Sequence, residues 1–290
     1  CDVKLGSPES ALAWQPSAAM SSCTVIKVSG SPLGEAGGSK LSPVLSRASV
    51  LESLDLSHMA LGDNGVRTLT KALTGCTRLT QLHLEHNNLG SSAAVGLGVL
   101  LSHPGLHLEQ LVLHDNNIGP QGAYGLSLPL SKNCTLRSLD VRSNRLQMGG
   151  ARALGDALKS NGHLRQLAMG SNDLNSIAML HISFALKVNH VLQELSMRDN
   201  KVGDTGVLWF AQSLKRNDAL QWLDLAQNQI TDKGAEALAR VLVRQNALTR
   251  LDLDGNNITE AGLSSVRSAL AAYNPDAAAC SAPRTGSTST

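Results

Sequence analysis

Four histidines, His58, His83, His86 and His114, fall with Glu85 and Asp115 in one stretch of the chain, and His58, His86 and Asp115 follow one another at intervals of 28 and 29 residues. If that interval is a structural repeat built on a parallel sheet, these side chains stack about 4.8 Å apart. Imidazoles at such a distance can share a metal ion or repel one another as they gain protons. A stack of polar loop residues explains the same pattern without a ligand and is the reading favoured here. No metal is therefore assigned, and His58, His86 and His114 stand as the candidates. A second group is Trp222, with Glu194 28 residues before it and Arg250 28 after it. Trp and Arg dominate the energy of protein interfaces, although a Trp in this position can also lie flat over aliphatic stems as local cover. Catalytic signatures are missing: the sequence shows no nucleophile with an adjoining base and no zinc-protease helix. Gly34-Glu-Ala-Gly-Gly-Ser-Lys40 lacks the Gly-Lys-Ser/Thr order that places a lysine and a hydroxyl on phosphates. The chain is read as a non-enzyme without a cofactor.

The elements that must position these residues are announced by a leucine ladder. Leu51, Leu79, Leu108, Leu136, Leu164, Leu192, Leu220 and Leu248 each open the pattern Leu-x-x-Leu-x-Leu, and successive members are 28 apart except for 79 to 108, which is 29. A period of this size predicts a solenoid, in which a unit too small to bury its own apolar face is covered by its neighbours. Each repeat changes period partway along. Leu220, Leu223 and Leu225 frame a short strand, Asn228-Gln-Ile230 turns, and Ala235, Leu238 and Leu242 follow at helical spacing. Strand and helix repeated in one direction predict an α/β horseshoe with a parallel sheet on the concave face and helices on the convex face.

Domain limits follow from the same ladder. Residues 1–22, rich in Ser, Ala, Pro and Gly and without a period, predict a disordered or truncated segment, with Met20 open as an internal start. Ile26, Val28, Leu33, Gly34, Gly37, Leu41 and Leu45 each lie 28 before a residue of the first full repeat, so 23–50 reads as a worn capping repeat. Eight repeats starting at 51, 79, 108, 136, 164, 192, 220 and 248 complete a domain over 23–276, and 277–290 predicts a disordered tail. The extra residue between Ser102 and His107, Pro129 late in a helix, and Asn175 and Ala178 in place of Gly predict locally uneven curvature.

Two Asn columns punctuate the repeat. Asn87, Asn116, Asn144, Asn172, Asn200, Asn228 and Asn256 are expected to bond the loop backbone after the strand. Asn133, Asn161, Asn189 and Asn217 precede the next strand, where a left-handed helix stop is expected. With the leucines turned inward, alternation leaves the intervening strand residues on the concave surface. The positions selected there for partner binding are Trp222, Arg250, Glu194, Asp224, Asp252, Arg198, Asp140 and Arg142. Acids outnumber Arg and Lys on that side, which predicts a horseshoe acidic within and basic on its helical rim.

Bulk composition agrees with this picture. Aromatic residues make up only 2% of the 290 residues and apolar residues 42%, as thin aliphatic layers require, and a formal charge of +2 gives no basic face for nucleic acid. Five widely spaced cysteines without a C-x-x-C pair point to a reducing, cytoplasmic compartment. No apolar run is long enough to span a bilayer.

Leu192-Gln-Glu-Leu-Ser-Met-Arg-Asp-Asn-Lys-Val-Gly-Asp-Thr-Gly206, followed by an amphipathic helix, resembles the ribonuclease-inhibitor-like class of leucine-rich repeats. Asn in every full repeat but the first, where Met59 replaces it, is more similar to the C-terminal arrays of the NLR receptors. The residues point to a monomeric, non-enzymatic scaffold that binds a partner protein on its concave face, and the resemblance implies the sensor or regulatory region of an NLR-like protein. An alternative is a GTPase-activating protein of the Ran type, because Ser143-Asn144-Arg145-Leu146 is similar to a loop of that family.

Overall fold

The computed structural model describes residues 1–244 and 247–272; the predicted tail at 277–290 and the last residues of the predicted domain lie outside them. The chain runs β1 (Asp2–Leu5), α1 (Pro8–Ala13), a 3-10 turn (Ala18–Ser22), β2 (Val25–Gly30), α2 (Ala36–Leu45), β3 (Ser53–Asp55), α3 (Gly62–Leu73), β4 (Gln81–His83) and α4 (Ser91–Leu101). It continues through β5 (Gln110–Val112), α5 (Gly119–Lys132), β6 (Ser138–Asp140), α6 (Gln147–Leu158), β7 (Gln166–Ala168) and α7 (Ser176–Leu186). The last elements are β8 (Glu194–Ser196), α8 (Gly203–Leu214), β9 (Trp222–Asp224), α9 (Asp232–Leu242), β10 (Arg250–Asp252) and α10 (Glu260–Ala271). The ten strands form one open parallel sheet in sequence order, and each helix from α2 to α10 packs on the helices of adjacent repeats. Strands sit about 4.8 Å apart and helices about 8–10 Å apart, so the layer of strands takes the inside of the curve.

The leucine ladder is the core. In every strand from β3 to β9 the middle leucine is buried between two more exposed neighbours or one exposed and one covered neighbour, and one apolar cluster extends from Leu5 to Ala269. Pairing follows the sequence period: Ser53 faces Gln81, Glu194 faces Trp222 and Trp222 faces Arg250, all 28 apart. The 29-residue step is absorbed in the loop after α4, so Gln81 still pairs with Gln110. The register also runs unbroken through the repeat at Leu164. There Asn175 caps α7, its side chain accepting from the Ala178 amide at 3.0 Å. Pro129 does not shorten its helix. α5 is 14 residues long, because a missing amide one turn from the helix end removes a single backbone bond.

Both Asn columns are structural, and the details differ from expectation. In the first, each Asn finishes the loop of the repeat before it: Asn172 Oδ1 accepts from the Asn144 and Leu146 amides at 2.8 and 3.2 Å. Its Nδ2 donates to the carbonyls of Val141, Met169 and Gly170. This explains Met59. Of the two amides that an Asn there would serve, those of Ser31 and Leu33, Ser31 N–H instead donates to the Leu5 carbonyl at 3.1 Å. In the second column the expected left-handed backbone is absent; Asn133 has φ −70° and ψ 134°. These Asn work through their amides, as where Asn161 Nδ2 donates to the Leu130 carbonyl and its Oδ1 accepts from Leu164 N–H at 2.7 Å. Left-handed geometry belongs to other columns, one of them His58, His86, Asp115, Ser143, Ser171, Asp199 and Gln227, all at φ between 52° and 63°.

The largest departure is at the start of the chain. Residues 1–22, expected to be unstructured, contribute β1, which pairs parallel to β2 from Asp2–Lys27 to Leu5–Gly30. The repeat at 23–50 is therefore flanked rather than terminal, and Met20 is buried in the core. The signal for β1 was too short to show a period. Cys1 and Cys23 form a disulfide with Cα atoms 6.0 Å apart. That pairing removes the argument for a reducing compartment, which rested on the wide spacing of the cysteines and the lack of a C-x-x-C pair. Burial pushes the Cys76 thiol up to about 11, whereas Cys134 is an exposed free thiol. A thiolate-selective reagent is expected to modify Cys134 rapidly and to reach Cys76 only after unfolding; mass mapping of time points checks this, and early labelling of Cys76 would contradict it.

Candidate functional site

The strand face carries a groove that runs from His114 and Asp115 at β5 to Trp222 and Asp224 at β9. It exists because the leucine of each strand turns into the core, leaving the flanking residues of five adjacent strands side by side.

Trp222 occupies the C-terminal end of this groove. It is half-buried, and Arg250 of the next strand lies over its ring with the guanidinium carbon 5.2 Å from the centroid, within cation–π range. Glu194 is its neighbour on the other side. The indole Nε1 is buried and has no hydrogen-bond acceptor. One face of the ring is thus covered by Arg250, while the ring still lines the groove.

The charged residues of the groove are mostly engaged with one another. Arg142 folds back on Asp140, its Nε donating to Oδ1 at 2.9 Å, and this hydrogen bond holds the guanidinium above its ordinary range. Arg198 lies 3.6 Å from Asp252 and 3.9 Å from Asp224. Asp224 departs from expectation: it is only 5% exposed, with Oδ1 accepting from Ala226 N–H and Oδ2 from the Ser196 hydroxyl at 3.0 Å. Burial raises its pKa, more than these bonds lower it. Asp224 is therefore a largely buried support for the loop after β9 and for Arg198. Sequence alternation missed this because Ser196 and Ala226, small residues, let the carboxylate sink.

At the N-terminal end the histidine column closes up. His58 and His86 stack with centroids 4.3 Å apart and planes inclined by 17°, and His86 meets His114 edge-on at 5.4 Å. Asp115 Oδ2 lies 2.9 Å from His86 Nε2 and 3.0 Å from His114 Nδ1. His83 Nδ1 is 3.9 Å from Glu85 Oε2, and that oxygen is buried without a hydrogen-bond donor. The predicted column brought His58, His86 and Asp115 together; His114 joins from the adjoining column.

A family profile described as Leucine Rich repeat matches residues 48–69, 75–98, 106–127, 132–155, 188–211, 220–239 and 246–266, just over half of the chain. The chain belongs to the leucine-rich repeat family. The repeats it leaves unmatched include the one at Leu164, where Asn175 and Ala178 stand in place of Gly, and the worn one at 23–50. No curated protein matches this leucine-rich repeat chain in a sequence comparison. Among solved structures, it is similar to leiomodin-1 actin-binding site 2, at 15% identity and TM-score 0.42 over 64% of this chain and 90% of that one. It is also similar to a chain of the yeast Rad7 and Elc1 complex, at 16% identity and TM-score 0.38 over 88% and 72% respectively. Of the loop Ser143-Asn144-Arg145-Leu146, two members are ordinary repeat residues, Asn144 in the Asn ladder and Leu146 in the core. Among the described residues no helix is long and apolar enough to cross a membrane.

Proposed function

We propose that this leucine-rich repeat array is a non-enzymatic scaffold, acting as a monomer, whose strand face binds a partner protein around Trp222. The observation that carries the reading is the half-buried indole lining the groove beside an exposed Arg250. A large aromatic next to a guanidinium at the floor of a groove is the composition of an interface anchor. Arg198 and Asp252 extend the contact surface toward the last strand, Glu194 extends it inward, and the closed Arg142–Asp140 pair forms its opposite rim. The resemblance of the repeats to NLR arrays supports a sensor or regulatory region. Neither nucleic acid nor a membrane has a matching surface in this reading. The Ran-type alternative is not carried further, because half of its four-residue match belongs to the repeat framework.

Affinity capture with wild type and Trp222→Ala, followed by titration of the recovered partner, tests the proposal. Trp222→Ala is expected to weaken binding by about 30-fold, the effect of losing about 2 kcal/mol at an anchor. Tyr124→Ala, at a 71% exposed position on α5, is expected to bind like wild type. Equal affinity for wild type and Trp222→Ala would remove the proposal.

A further inference from the structure

We infer that His86, His114 and Asp115 form a site for a divalent transition metal ion of the zinc type, at the end of the groove opposite Trp222. The inference does not depend on the partner-binding reading. One ligand atom from each residue lies within 4.8 Å of the other two, and the shared oxygen Asp115 Oδ2 is 2.9 Å from His86 Nε2 and 3.0 Å from His114 Nδ1. Around a tetrahedral Zn2+ with bonds of about 2.0–2.1 Å, ligand atoms are separated by about 3.3 Å. An ion at the centre therefore requires a few tenths of an ångström of spreading at the carboxylate and closure of the two imidazole nitrogens from a separation within 4.8 Å to about 3.3 Å.

Three features make the set preorganised. His86 and Asp115 occupy left-handed backbone positions, at φ 53° and 54°, which side-chain-bearing residues adopt infrequently. They are fixed there by the Asn ladder, since Asn87 and Asn116 immediately follow them and are tied into the adjoining loops. The stacked His58 ring sets the plane of His86. Finally, negative charge is in excess locally: Glu85 carries a buried carboxylate oxygen that no donor meets, and Glu85 and Asp115 both act on the Arg142 guanidinium already taken by Asp140. Two neutral imidazoles and a carboxylate form a nitrogen-rich donor set that suits Zn2+ and disfavours Ca2+ or Mg2+. With three protein ligands, the remaining coordination position belongs to water.

The test is isothermal titration of tag-free protein with Zn2+, using Cys134→Ser and Cys280→Ser in every sample so that free thiols do not compete. One Zn2+ per chain is expected at about pH 7.5. His86→Ala, His114→Ala and Asp115→Asn are each expected to weaken binding at least tenfold, whereas His190→Ala, in the separate His190–Asp218 pair, leaves it unchanged. Asp115→Asn preserves shape and fold, and circular dichroism verifies this for each variant. Co2+ bound to the same protein is expected to show visible absorption bands that Asp115→Asn abolishes. Absence of a saturable single site, or equal loss in His190→Ala, would overturn the inference and leave a close His–Asp–His contact without a metal.

Discussion

Asn172→Ala is expected to lower the unfolding free energy by about 3 kcal/mol or more. Asn172 is fully buried, and its side chain accepts two backbone amides and donates to three carbonyls. Each buried polar group left without a partner costs about 1–3 kcal/mol, and the alanine strands several at once. The loss of an acceptor should be one-sided. The amides that lose their acceptor are those of Asn144 and Leu146, in the repeat before, while Asn172 N–H itself keeps its bond to Asn200 Oδ1 at 3.0 Å. Denaturant melts give the magnitude, and hydrogen exchange gives the direction, with protection lost at Asn144 and Leu146 and retained at Asn172 and Leu174. Symmetric loss on both sides would show that the ladder is not directional.

Phe210→Ala is expected to cost about 3–5 kcal/mol. Phe210 is a fully buried aromatic ring in a column otherwise filled by aliphatic residues, Leu69, Leu97, Leu126, Leu154, Ile182 and Leu238 among them. Because every other repeat fits a smaller side chain at this position, Phe210→Leu should be mild, below about 1.5 kcal/mol. The ratio of the two effects is the informative quantity. Thermal or urea melts of the pair measure it, and a Phe210→Leu loss as large as that of alanine would mean that the layer between α7 and α9 is shaped around the ring rather than shared with its neighbours.

Most of the fold was legible in the sequence because a parallel stack converts a fixed interval into a spatial neighbour. Leu54 over Leu82, Trp222 over Arg250 and Asn144 over Asn172 all follow from the number 28. What was illegible lies at other intervals. β1 pairs with β2 across 25 residues in a segment too short to show a repeat, and the disulfide joins residues 22 apart. Contacts two residues apart were also missed: Arg142 turning back on Asp140 and Asp224 receiving Ala226 N–H depend on side-chain torsions and on the size of neighbours. The histidine cluster shows the same division. Its column members came from the period, while His114 entered because a side chain from the adjoining column reaches across to Asp115.

The one-sided Asn ladder also has a temporal meaning. Each loop after a strand is finished by an acceptor 26 to 28 residues later in the chain. Synthesis delivers the N-terminal part first, so a newly emerged repeat holds unsatisfied loop amides until its successor has left the ribosome and docked. The last hydrogen bonds of each such loop accordingly cannot form until the following repeat has been translated.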